Sequence, residues 1–133
     1  VLPVDETPYT RKMKHLEGLR PYFRDKVETL LVKCRDRGIE MRPYMGIRTV
    51  DEQARLWRQS RTSEQVERAV KRLLNQGTPF IASRLIAVGP CSGRHVTNAL
   101  PGFSWHQWGE AVDCFWVVDG KAEWGLTKKV DGL

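Results

Sequence analysis

The sequence predicts an α+β fold, and three observations carry that expectation. Apolar residues recur at three- and four-residue steps through much of the first 75 positions, which is helical patterning. Two short strand-like segments, 39–47 and 109–118, stand on either side of a long Gly- and Pro-containing stretch. An Asp119-Gly120 pair behind the second segment is a hairpin signal. The chain's 133 residues make one domain's worth of sequence with room for one modest core, so 1–133 is read as a single domain.

Residues 9–37 read as one long helix. Leu16, Leu19, Phe23, Val27, Leu30, Leu31 and Cys34 fall on one face, and Gly38 is the stop. Ile39 to Ile47 follows as a short strand, with Pro43 pointing to an edge position or a bend. Thr49-Val-Asp-Glu52 has the pattern of a capping box and opens a second helix to about Gln59. Thr62-Ser-Glu-Gln65 is another and opens a third helix through Asn75, with Val66, Val70, Leu73 and Leu74 facing inward. Gly77 ends it. Residues 77–103 hold four glycines and three of the seven prolines and read mostly as loop, a length that often carries function. Gly109 to Val118 reads as a strand, and Lys121 to Trp124 as its return after the turn. The last nine residues, GLTKKVDGL, show no finished element and read as the start of another one.

Composition narrows the function classes. An apolar fraction of 41% with 29% charged residues describes a globular chain, not a disordered one. No run approaches the ~18 apolar residues of a membrane span. The N-terminus VLPVDETPYT has no basic start followed by an apolar stretch, so no signal peptide is visible. The chain begins without Met, which leaves room for an export signal removed beforehand. The net charge of +6 suits a polyanionic partner: nucleic acid, anionic lipid or the acidic polymers of a bacterial wall. No helix-turn-helix or zinc-finger spacing supports nucleic acid, and Lys and Arg are interleaved with Glu and Asp along the helices. A charged helix surface accounts for most of this charge. The three cysteines, Cys34, Cys91 and Cys114, lack metal spacing. Cys34 and Cys114 read as small buried hydrophobes, and Cys91 sits in a loop.

The chemistry concentrates in Ser104-Trp-His-Gln-Trp-Gly-Glu-Ala-Val-Asp113, which contains S-x-H-x-x-G-x-A-x-D. Zinc takes imidazole nitrogen and carboxylate oxygen, and catalytic zinc sites use three protein ligands plus water. His106 precedes the strand and Asp113 lies within it. In a strand Gly109, Ala111 and Asp113 share a side that two small residues keep open, while Glu110, Val112, Cys114 and Trp116 face the core. A carboxylate in an apolar strand needs a partner. On spacing alone, a metal pair and two locally hydrogen-bonded side chains both remain open.

SWHQWGEAVD matches the signature of zinc peptidases that include the D-alanyl-D-alanine carboxypeptidases of the VanY type, D-Ala-D-Ala dipeptidases and phage L-alanyl-D-glutamate endolysins. The preceding Val96 to Phe103 is similar to the approach to that signature, and Gly46-Ile-Arg-Thr49 with Gln53 resembles an upstream element of the same family. The resemblance covers roughly residues 39–124, with two motifs in the expected order. It implies helices packed on one side of a small antiparallel sheet that bears zinc, the arrangement of the Hedgehog and DD-peptidase folds. It implies zinc on His106 and Asp113. It places Arg48 in the cleft as the catalytic, substrate-binding arginine, whose paired donors suit a carboxylate or carbonyl. Ser104 is expected at the cleft mouth, binding substrate or orienting the turn, and Gln53 is expected to be a supporting residue. The expected reaction is zinc-dependent hydrolysis of peptidoglycan stem peptides, of carboxypeptidase or endolysin type, in the cell wall or periplasm or released at phage lysis.

The sequence departs from that family at its end. Relatives carry a third ligand, a His, and an acidic general base beyond the hairpin, whereas the histidines here are His15, His95 and His106. The expectation is a chain truncated at its C-terminus. Next in order come a homologue that lost the chemistry and a site completed by His95 or a partner chain. On that expectation the 133 residues alone bind zinc weakly and do not hydrolyse wall peptides. A non-catalytic binding module similar to the Hedgehog signalling domain is the alternative.

Overall fold

The computed structural model describes residues 13–125. Within them four α-helices and one three-stranded antiparallel sheet form two compact units. Among the described residues one unit comprises 13–47 with 109–125, the other 48–108. The expected final element, 126–133, and the first residues of the expected long helix lie outside the described residues.

The first unit opens with a 3-10 turn, Lys14–Leu16, followed by helix α1, Pro21–Asp36. The single helix expected over 9–37 is therefore broken. Gly18 adopts φ +80°, outside the helical region, and Pro21 starts α1 at a position where its missing N–H costs nothing. The apolar spacing continues through the break because Leu16 and Leu19 still turn inward with Val27 and Leu31, the last of them 1% exposed. Full burial of such a side chain contributes about 1.5–3 kcal/mol. Leu30, expected on the same face, is exposed. Glu28 is buried in α1 and accepts a hydrogen bond from Arg24 Nε at 2.8 Å, one helical turn away.

Strand β1, Glu40–Met45, packs against α1 and pairs with β2, Asp113–Val118. Their register runs from Glu40 opposite Val117 to Met45 opposite Asp113, with an irregularity between Pro43 and Met45. Pro43 is tolerated because β1 is an edge strand in the order β1-β2-β3. Strand β3, Lys121–Glu123, returns along β2 through a turn in which Asp119 and Gly120 have φ 52° and 75°, the left-handed pair a two-residue hairpin requires. Val112 and Cys114 pack on the core of this unit. The Phe115 ring lies tilted, 5.1 Å between centroids, against Trp124, which in turn meets Tyr44 edge-on.

The strand expected to begin at Gly109 begins at Asp113 instead. The carbonyl of Gly109 accepts from Arg20 N, and Glu110 pairs with Arg20 Nε at 3.2 Å, so this segment bonds to the start of α1 and not to a ladder. The expected alternation of Gly109, Ala111 and Asp113 on one side therefore does not apply.

The second unit holds α2, Val50–Arg58; α3, Ser63–Asn75; and α4, Pro79–Ala87. Thr49 Oγ1 accepts from Glu52 N at the start of α2. At α3 the capping box is complete: Thr62 Oγ1 accepts from Gln65 N, and Gln65 Oε1 accepts from Thr62 N. Helix α4 lies inside the expected loop. Pro79 begins that helix and does not break one, and the run Phe80-Ile-Ala-Ser-Arg-Leu-Ile-Ala87 follows with Ala82 and Leu85 buried. Arg58 of α2 donates to the Leu85 carbonyl near the C-terminal end of α4. The core of this unit is Ala54, Trp57, Val66, Ala69, Leu73, Ala82 and Leu85. Leu74, expected to face inward, is 52% exposed.

Candidate functional site

The second unit ends in a turn that carries the expected chemistry. Residues 88–100 run without helix or strand to a bend at Pro101-Gly102, and a 3-10 turn spans Trp105–Trp108. Its conformation is fixed by hydrogen bonds that trace back to α2. Gln53, completely buried, is the centre. Its Oε1 accepts from Arg48 Nη1 at 2.6 Å and from Gln107 Nε2 at 3.3 Å. Its Nε2 donates to the carbonyl of Ala99 at 2.7 Å and to Thr97 Oγ1 at 3.3 Å. All four polar contacts of a buried amide are thereby used.

Gln107 extends the network. Its Oε1 accepts from the backbone N–H of Gly102 and of Ser104, each at 3.2 Å. Ser104 Oγ accepts from His106 N, and the His106 carbonyl accepts from Arg48 N at 3.0 Å. The backbone on both sides of the His106 imidazole is therefore held, which is what a ligand or a catalytic imidazole needs from its surroundings. Arg48, Gln53, Ser104 and His106 are brought together in one network. Gln107 and Thr97 are the members that sequence reasoning passed over. The signal for Gln107 was present as a polar residue next to His106 inside the motif.

Arg48 is 8% exposed, so its guanidinium is held in a largely dry setting. Ser104 spends its hydroxyl, as acceptor, on the His106 backbone and so orients the turn. Around this turn Phe103, Trp105 and Trp108 present exposed aromatic rings.

Asp113 belongs to the first unit, where it opens β2 opposite Met45 and alternates with the core-facing Cys114. The expectation of a carboxylate buried in an apolar strand is corrected here: Asp113 is exposed. Its charge, burial and the proximity of Cys34 together push the Cys114 thiol above its ordinary pKa, with burial the largest cause. His15 is exposed in the 3-10 turn before α1, with its ring 6.4 Å from that of Tyr44, and His95 is exposed in the 88–100 segment. Cys34, Cys91 and Cys114 are all free thiols.

The donor types fit zinc, since a neutral imidazole and a carboxylate are both ordinary zinc ligands. Among the described residues no three His, Cys, Asp or Glu side chains are grouped as a metal site, and no third ligand or general base is assigned. No helix among the described residues is long and apolar enough to cross a membrane.

Compared with known proteins, residues 16–130 match the family model described as VanY, D-alanyl-D-alanine carboxypeptidase. No curated protein and no solved structure matches the chain.

Proposed function

Because the chain belongs to the VanY family of D-alanyl-D-alanine carboxypeptidases, we propose that it holds zinc and positions peptidoglycan stem peptides for hydrolysis. The observation that supports this reading most is the hydrogen-bond network from Arg48 through Gln53 and Gln107 to the His106 turn. It joins the two motifs of the sequence by direct contacts and rigidifies the residue proposed as a ligand.

In this reading His106 and Asp113 hold zinc through an imidazole nitrogen and a carboxylate oxygen. Zinc, when bound, polarises a carbonyl and lowers the pKa of its water. The protein's own contribution begins with Arg48. Its guanidinium, oriented by Gln53, offers planar paired donors to the C-terminal carboxylate of a stem peptide. That contact would orient the bound peptide and so convert binding into positioning. Ser104 keeps the His106 backbone from turning away. Cleavage of the terminal D-alanine, and so action in the cell wall or periplasm, is the mode the family supports.

Zinc titration of the protein as its gene encodes it tests the ligand assignment. His106→Ala and Asp113→Ala should each lower zinc affinity by at least ~10-fold, since removing even a supporting partner of a ligand costs 10- to 100-fold. Unchanged zinc affinity in both variants would end the assignment.

A further inference from the structure

Gln65, Arg68, Ala69 and Arg72 share one face of α3, and with Trp57 and Arg61 they line an open groove of about 370 Å3. Arg61 is its fixed member. Its Nη1 donates to the Trp57 carbonyl and its Nη2 to the Thr97 carbonyl, both at 2.9 Å. Its guanidinium lies 4.5 Å from the centre of the Trp57 ring. Burial lowers its pKa, the signature of a cation partly stripped of water. Arg68 and Arg72 stand one helical turn apart, both exposed, and neither side chain makes an ion pair or a hydrogen bond among the described residues. Among the described residues no carboxylate lines the groove. Three guanidinium groups, one of them preorganised, thus line the groove.

We propose that this groove binds a phosphate-bearing polyanion that lacks bases, a polyol-phosphate polymer. Guanidinium pairs suit phosphate oxygens, and several cations along one face suit a ligand with repeated charge. The absence of bases follows from Trp57. The ring is 6% exposed and already covered by Arg61, so the groove has no open aromatic face on which a nucleobase could stack. The choice of a wall polymer rests on the peptidase reading above; the groove itself does not. Held there, such a polymer would keep the enzyme close to its insoluble substrate without occupying the His106 turn.

Binding of soluble poly(glycerol phosphate) to the protein as its gene encodes it is the test, set beside single-stranded DNA of equal charge. The double variant Arg68→Gln with Arg72→Gln should bind the polymer about fivefold to tenfold more weakly, within the span expected for losing two exposed ion pairs. Removing the same charge elsewhere, with Arg35→Gln and Arg37→Gln, should change affinity by less than about twofold. Hydrolysis of a short soluble stem peptide should be the same in both double variants. Equal weakening by the two pairs would show that net charge, and no groove, attracts the polymer. Tighter binding of the DNA would overturn the choice of ligand. Groove-dependent polymer binding by a protein that hydrolyses nothing would support the groove and count against the peptidase reading alone.

Discussion

Gln53 shows how one side chain can tie a sequence motif to a site. It sits on α2, in the core of its unit, and four partners reach it from residues 48, 97, 99 and 107. Replacing it by Leu keeps the volume and removes every bond, leaving Arg48 Nη1 and the Ala99 carbonyl to find new partners in a dry interior. Gln53→Leu should therefore lower unfolding free energy by about 3 kcal/mol, in the range for several buried polar groups left unsatisfied. Urea denaturation reads it directly, and a loss under roughly 0.5 kcal/mol, the scale of an ordinary surface change, would contradict the network. Gly46 illustrates the same economy at the start of that upstream motif. A Cβ there would run into the carbonyl of His15, so the motif's glycine is required by packing before any chemistry is considered.

At the scale of elements, α2 and α4 are joined by a two-point ion pair, Arg84 Nε and Nη2 to the two carboxylate oxygens of Asp51 at 2.7 and 2.6 Å. Those hydrogen bonds hold the Asp51 carboxyl below its ordinary value. The sign of the consequence is fixed. A carboxylate whose folded pKa lies below its unfolded one stabilises fully above the unfolded value, and that contribution disappears as pH falls through the folded one. Stability should thus fall on acidification below about pH 4, and Asp51→Asn should flatten that part of the stability–pH curve. A curve unchanged by the substitution would show that the pair is spent on solvent.

The same elements show what the sequence could reveal. Capping signals were legible because they are local: Thr49 and Thr62 start the two helices assigned to them. The break before α1 was hidden because Leu16 and Leu19 keep their inward spacing across it, while Pro21 was the overlooked sign. Helix α4 was missed for a related reason, since a proline at a helix start and one in a loop look alike until the apolar run behind it is given weight. The late start of β2 could not have been read locally. Gly109 and Glu110 bond to Arg20, nearly ninety positions earlier in the chain. In the candidate site, Arg48, Ser104 and His106 stand in local motifs, whereas the contact of Gln107 with Gln53 joins residues 54 positions apart.

The whole molecule combines two hydrophobic cores with a family assignment that spans residues 16–130. One core supports the sheet whose strand β2 begins at Asp113, the other the helices that hold Arg48 and the His106 turn. The central claim is that this assembly removes D-alanine from wall peptides with metal dependence. Release of D-alanine from purified peptidoglycan, by the protein as its gene encodes it, measures that claim most directly. Release should stop on chelation and return with zinc, and Arg48→Lys should slow it by about 10²-fold, the loss expected when a positioning contact is misplaced. Release that survives chelation, or that Arg48→Lys leaves at the wild-type rate, would contradict the account.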